Sequence, residues 1–211
     1  MRIKALIPAF NEEKTIGNII DILNSIPLID EVIVVDDGSV DNTYQEADAR
    51  GAQVIKLDKN RGKGAALQEG IARIETDVIL LLDGDLIGLT DVHIYKLINP
   101  LLADEADMTI GIFKKGRGLT DLAQVVSPKL SGQRAIKLSE LKKLRSLDQE
   151  GFGVEVALNK HFKDKARTKK VPLKDLTHVM KEEKMGFFEG AKARSKMYLD
   201  ILKSLLKNII E

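Results

Sequence analysis

No cysteine occurs among the 211 residues. That excludes disulfides, thiolate metal sites and a cysteine nucleophile, and it suits a reducing cytosol. Net charge is almost absent too. The 33 Lys and Arg residues against 32 Asp and Glu leave +1, so the global balance carries no electrostatic footprint for nucleic acid. No stretch reaches the ~18–20 continuous apolar residues that span a bilayer. The chain starts on a strand-like run, Arg2-Ile3-Lys4-Ala5-Leu6-Ile7, so the expectation is a first strand and not a signal peptide. Internal repeats and low-complexity linkers are absent. The expectation is a cytoplasmic protein, with contact at the inner face of the membrane as the alternative setting. What is present is ordinary for a globular protein: 44% apolar and 31% charged residues in a length that suits one large domain.

Charge is unevenly spread. From Lys160 onward there are 14 basic and 7 acidic residues, so the preceding part of the chain is mildly acidic. The basic end reads as a solvated helical surface, an anionic-acceptor surface or a membrane-facing one.

Strand-like and helix-like segments alternate every 20–25 residues or so, which argues for a mostly parallel sheet with helices on both faces. Ile3 to Ile7 reads as a strand ended by Pro8. Ile16, Ile19, Ile20, Leu23 and Ile26 then fall at helical spacing, with Asn11 as the expected cap. Further strands are expected at Glu31–Val35, Gln53–Leu57, Asp77–Leu82, Met108–Phe113, Lys169–Leu173 and Asp175–Val179. Helices are expected from Asp41 to Arg50, Gly62 to Ile74, Val92 to Leu102, Ser139 to Leu147, Gly153 to Phe162 and Phe187 to Ile210. The glycine- and lysine-rich run from Lys114 to Leu130 reads as a loop bordering the site.

Each conspicuous polar cluster follows an expected strand. Pro8-Ala9-Phe10-Asn11-Glu12 follows the first, Asp36-Asp37-Gly38-Ser39 the second, Asn60-Arg61-Gly62-Lys63-Gly64 the third, and Asp83-Gly84-Asp85 the fourth. In a parallel sheet these ends share one edge and build one polar crevice. The pattern suits a nucleotide sugar. Carboxylates at Glu12, Asp36 or Asp37 can accept hydrogen bonds from a base or a ribose. Lys63, flanked by glycines at a helix start, can approach a diphosphate. Asp85 together with Asp83 would hold Mg²⁺ or Mn²⁺ against the diphosphate oxygens. Taken singly, each cluster could be no more than a turn or a helix cap.

The segments "IPAFNEEKTIGNII", "EVIVVDDGSVDNT", "NRGKGAAL" and "DVILLLDGDL" resemble those of family 2 glycosyltransferases with the GT-A fold, in order and in spacing. The resemblance implies that Pro8, Ala9, Asn11, Glu12, Asp36, Asp37, Lys63, Asp83 and Gly84 contact the nucleotide sugar, with Asp83 and Asp85 serving the metal. The second half, with "GRGLTDLA", "LSGQRAI" and "GFGVEVAL", is similar to the glucosyl-3-phosphoglycerate and mannosyl-3-phosphoglycerate synthases. That likeness implies a third metal ligand at His178 and acceptor contacts at Arg117, Thr120, Ser131, Gly132 and Arg134. "LSGQRAI" replaces an aromatic, acidic version of the acceptor segment. The organisation implied is one GT-A domain over 1–211: a nucleotide-sugar half (1–113), an acceptor half (114–185) and a C-terminal amphipathic helix (186–211).

An inverting transferase needs a base for the acceptor hydroxyl. Glu155, in the first turns of an expected helix, is favoured over Asp148. The phosphoglycerate synthases are retaining and family 2 proper is inverting, so the stereochemical course stays open. The C-terminal helix has three readings: packing on its own domain, a homodimer interface, or a basic amphipathic membrane contact. The leading expectation is metal-dependent transfer of a hexose from a UDP- or GDP-sugar to a hydroxyl, small phosphorylated or lipid-linked. A sugar-1-phosphate nucleotidyltransferase and a non-catalytic nucleotide-sugar binder are the alternatives. The first loop lacks the glycine-rich, arginine-ending signature of the former.

Overall fold

The structure is a computed structural model and describes residues 1–114, 131–143, 158–159, 162 and 166–179. The chain divides into two compact units, Met1–Thr177 and His178–Glu211. The described strands are β1 (Ile3–Ala9), β2 (Glu31–Asp36), β3 (Gln53–Lys56), β4 (Val78–Leu81), β5 (Leu86–Ile87), β6 (Met108–Lys114), β7 (Arg134–Lys137), β8 (Thr168–Lys174) and β9 (Thr177–His178). The described helices are α1 (Ile16–Asn24), α2 (Thr43–Asp48), α3 (Lys63–Ala72), α4 (Asp91–Leu102) and α5 (Leu138–Leu141).

Seven strands form one sheet in the order β3-β2-β1-β4-β7-β6-β8, and β5 pairs with β9 separately. β1 lies parallel to β2 and β4, β2 to β3, and β6 to β8. Among the described strands of this sheet, β7 alone runs antiparallel to both its neighbours, β4 and β6. Side chains alternate across the sheet, as a strand buried on both faces requires. Ile3, Ala5 and Ile7 of β1 join one core, and Leu6 the other. Val32 and Val34 of β2 follow the first pattern, Ile33 and Val35 the second.

The helices supply the outer layers. Ile16, Ile19, Ile20 and Leu23 of α1 share the first core with Ile94, Leu97, Ile98 and Leu101 of α4. These positions recur at i, i+3, i+4 and i+7, the stripe a helix needs against a sheet. Ala66 and Leu67 of α3 and Leu138 and Leu141 of α5 fill the second core. The sheet is therefore covered on both faces, as expected.

Local boundaries differ from the sequence reading in ways that have causes. β1 continues through Pro8, which pairs with Val35 of β2. The β4 ladder has already ended at Leu6 opposite Leu81, so the missing proline N–H costs no bond on that side. Asn11 does not cap α1. Its backbone is left-handed (φ 57°), its Oδ1 accepts the Val40 N–H at 3.0 Å, and Thr15 is the N-cap residue. α2 starts at Thr43, whose N–H donates to Asp41 Oδ1 at 3.0 Å. The short strands β5 and β7 were not expected. Residues 115–130 of the expected loop, the expected helix 187–210, most of 153–162 and the end of 139–147 lie outside the described residues.

One ion network ties the lower ends of β6, β7 and β8. Arg167 donates to Asp107 through Nε (3.2 Å) and Nη2 (2.9 Å), and to Asp104 through Nη2 (2.8 Å). Lys137 Nζ reaches Asp104 at 2.7 Å and Asp107 at 2.9 Å. Arg167, and then Lys137, hold the Asp107 carboxyl well below the usual carboxylate range. A carboxyl depressed in the folded state contributes stability above its unfolded value, and that stability is lost as pH falls through the folded one. Asp107→Asn should therefore cost about 2 kcal/mol at pH 7, the scale of a charged hydrogen bond. In urea titrations the gap to the parent protein should narrow as pH falls below about 4. A gap that stays constant down to pH 2 would remove the ionised carboxylate from this account.

Candidate active site

The carboxyl ends of β1, β2, β3 and β4 lie along one edge, and the reversed β7 brings its amino end to that same edge. Two loops there are clasped to each other. The Asn11 N–H donates to Ser39 Oγ at 2.9 Å, the Glu12 N–H to Thr43 Oγ1 at 2.7 Å, and the Glu13 N–H to Asp41 Oδ2 at 3.2 Å. In return Glu13 accepts from the Asn42 N–H at 3.1 Å. The first two motifs are thus one hydrogen-bonded unit.

Asp36 and Asp37 are both buried. Asp36 Oδ1 accepts the Ser39 N–H at 2.9 Å, and its enclosed Oδ2 meets no partner among the described residues. Asp37 grips the third motif with both oxygens: the Arg61 and Gly62 N–H groups donate to it at 2.8 Å each. Gly38 between these loops has φ 74°, and a Cβ there would lie 2.6 Å from the Lys59 carbonyl carbon. Only glycine meets both conditions.

Asp83-Gly84-Asp85 follows β4. The buried Thr15 hydroxyl donates to the Gly84 carbonyl at 2.7 Å. A Cβ at Gly84 would come within 3.2 Å of Glu12 Cγ and 3.4 Å of the Pro8 carbonyl and the Ala9 Cβ, so these motif residues converge on it. Lys63, the first residue of α3, places Nζ 2.7 Å from Asp83 Oδ1. Gln133 Nε2 donates to Asp83 Oδ2 at 2.8 Å. The amide orientation follows from its partners: a carboxylate only accepts, and the Ser131 hydroxyl donates to Gln133 Oε1 at 2.8 Å. Gly132 passes so close that an added Cβ would sit 2.5 Å from Asp83 Oδ1 and 2.7 Å from Lys63 Nζ.

His178 is bonded directly to Thr177 in β9, and Asp83, Asp85 and His178 each offer a ligand atom, all within 4.8 Å of one another. Two carboxylates and an imidazole form a donor set that fits Mn²⁺ or Mg²⁺.

Of the expected acceptor residues, Ser131 and Gly132 stand at this edge beside Asp83. Arg134 is fully buried, donating to the Ser131 carbonyl at 2.9 Å and to Asn159 Oδ1 at 3.1 Å. Arg117, Thr120, Asp148 and Glu155 lie outside the described residues. Thr15 and Gln133 escaped the sequence reading. Gln133 had a signal in its position, directly between Gly132 and Arg134, whereas a hydroxyl inside the "EEKTIGNII" run carries none. Among the described residues no helix is long and apolar enough to cross a membrane.

The sheet order and the acid pair at its carboxyl edge are those of a GT-A nucleotide-diphospho-sugar transferase. The family model of glycosyl transferase family 2 matches residues 5–164, and the chain belongs to that family. Glucosyl-3-phosphoglycerate synthase of Mycobacterium tuberculosis is 31% identical over 194 residues, covering 74% of this chain and 59% of that protein. The chain thus spans about three fifths of the length of this curated relative. Dodecaprenyl-phosphate galacturonate synthase of Rhizobium johnstonii is 30% identical over 127 residues, 56% of this chain and 37% of that protein. Among solved structures, the Mycobacterium tuberculosis synthase with Mn²⁺ and UDP-glucose superposes with a TM-score of 0.72 at 29% identity. That match covers 84% of this chain and 71% of the other. Its complex with Mn²⁺, UDP-glucose and phosphoglyceric acid gives a TM-score of 0.69 at 30% identity, covering 84% and 71%.

Asp37→Ala would leave two amide donors of the Arg61–Gly62 turn without their acceptor. The expected loss is about 2–4 kcal/mol of unfolding free energy by urea denaturation. An unchanged midpoint would show that this turn stands without the carboxylate.

Proposed function

We propose that this chain is a metal-dependent glycosyltransferase that moves glucose from UDP-glucose to a hydroxyl of a small phosphorylated acceptor. The observation that carries the reading is the cluster of Asp83, Asp85 and His178 with Lys63 beside it. Relatives of the same family and fold hold Mn²⁺ with UDP-glucose, and Mg²⁺ with UDP. They also take phosphoglyceric acid.

In this reading Asp83, Asp85 and His178 hold the cation, which supplies charge neutralisation for the departing diphosphate. Lys63 and the amide end of α3 bind the same diphosphate, since the helix amino end carries partial positive charge. Pro8, Ala9, Asn11, Glu12, Asp36 and Asp37 shape the pocket for the nucleoside. The clasp between their two loops makes that pocket preorganised rather than assembled on binding. Ser131 and Gly132, with Arg117 and Thr120, are our acceptor contacts. Glu155 is our candidate for the base that an inverting course requires, while a retaining course needs none in this role. The whole reading takes the chain as one catalytic domain acting in the cytoplasm.

The relative that acts on dodecaprenyl phosphate keeps a lipid-linked acceptor as the second reading. The basic residues from Lys160 onward would suit its anionic head. Turnover of UDP-glucose with 3-phosphoglycerate and not with a short polyprenyl phosphate separates the two.

Thermal stabilisation by UDP-, GDP-, ADP- and dTDP-sugars, each with Mn²⁺, Mg²⁺ or chelator, tests the donor site. Near 100 times the dissociation constant, a ligand adds about 2.7 kcal/mol. UDP-glucose with Mn²⁺ is expected to give the shift, and chelator or Asp85→Ala to remove it. The metal-binding role of Asp85 fails if Asp85→Ala keeps full metal-dependent affinity.

A further inference from the structure

Lys63 stands where a lysine is electrostatically costly. It opens α3, whose first turn holds no acidic residue, so its charge adds to the positive end of the helix dipole. Asp83 Oδ1, 2.7 Å away, offsets that charge. The other oxygen of the same carboxylate accepts from Gln133 at 2.8 Å. Gly132 lies against both groups, and an added Cβ there would sit 2.5 Å from Asp83 Oδ1 and 2.7 Å from Lys63 Nζ. The pair is still reachable, because the Lys63 and Asp83 side chains are 34% and 18% exposed.

A cation approaching the Asp83 carboxylate therefore meets an ammonium already at hydrogen-bond distance from one of its oxygens. Two positive charges cannot share that oxygen without strong repulsion. A diphosphate changes the balance, since it offers the ammonium a competing anionic partner within reach of a flexible four-carbon stem.

We propose that Lys63 competes with the metal for Asp83, and that a nucleoside diphosphate removes this competition by drawing the ammonium to itself. Metal alone binds weakly because it must displace Lys63. Metal and nucleotide together bind tightly because the lysine exchanges one anion for another. The coupling is reciprocal: the metal favours the nucleotide by the same factor. Gln133, oriented by Ser131, keeps the carboxylate in place while its other oxygen changes partner. The inference rests on the donor-site reading above and adds an order to it, in which the metal is retained only with a nucleotide present.

The test measures Mn²⁺ binding by the electron paramagnetic resonance signal of free Mn²⁺, first alone and then with UDP, correcting for the Mn²⁺–UDP complex in solution. The parent protein is compared with Lys63→Met, which keeps the stem and removes the charge. Without nucleotide, Lys63→Met is expected to bind Mn²⁺ at least about fivefold tighter than the parent. The factor by which UDP tightens Mn²⁺ should fall in the same proportion. Lys63→Gln removes the charge on a shorter, polar side chain and should move both quantities in the same direction. It also carries the test should Lys63→Met fail to fold. Metal-only affinity that is unchanged or weaker in the folded variants overturns the competition, even where the parent binds Mn²⁺ and UDP together. A parent protein that takes up no Mn²⁺ with or without UDP overturns the donor site itself and this inference with it.

Discussion

A single strand laid backwards in a parallel sheet governs the polar edge of this molecule. β7 opposes β4 with Arg134 opposite Leu81, so the residues before β7 arrive where β4 ends. Had β7 been parallel, Ser131, Gly132 and Gln133 would stand at the far edge, a sheet's width from Asp83. The reversal delivers a neutral amide donor to a carboxylate that a lysine already pairs from the other side. It also buries Arg134, whose guanidinium is held by the Ser131 carbonyl behind the edge. Burying that cation is tolerable only because its donors are met.

The motifs along this edge serve each other before they serve a ligand. Ser39, Asp41 and Thr43 of the second loop take the three successive amides of Asn11, Glu12 and Glu13. Asp37 takes two amides of the third loop, and Thr15 ties the acid pair to the start of α1. A loop edge built this way keeps its shape without ligand, so binding energy is not consumed in ordering the pocket. It also explains why small polar side chains crowd these segments: each fills the hydrogen-bonding capacity of a backbone that has left the sheet.

The sheet and its layers were legible because burial on both faces leaves an unmistakable apolar run. Val32-Ile33-Val34-Val35 and Val78-Ile79-Leu80-Leu81 could only be strands of a covered sheet once helical patterns flanked them. The clusters at strand ends were legible for the same reason, since direction fixes which ends meet. β7 was not, because Arg134-Ala135-Ile136-Lys137 places charged residues at both ends of a four-residue strand that is nonetheless buried. β5, only two residues long, leaves no periodicity to find. Asn11 misled because a cap residue and a left-handed turn residue are drawn from the same small set of amino acids. The roles of Thr15 and Gln133 come from partners 69 and 50 residues away, and no local pattern encodes them.

That 50-residue separation also sets a schedule. β1, β2, β3 and β4 come from the first 81 residues and pair only with one another on that side of the sheet. As a chain emerges from the ribosome amino end first, this four-strand block is available early. The acid pair is synthesised immediately after it, yet Gln133 does not exist until a further fifty residues have been added. During that interval Lys63 and Asp83 already coexist without the amide that fixes them. The contacts that fix Asp83 are therefore completed late, on a foundation that was laid first.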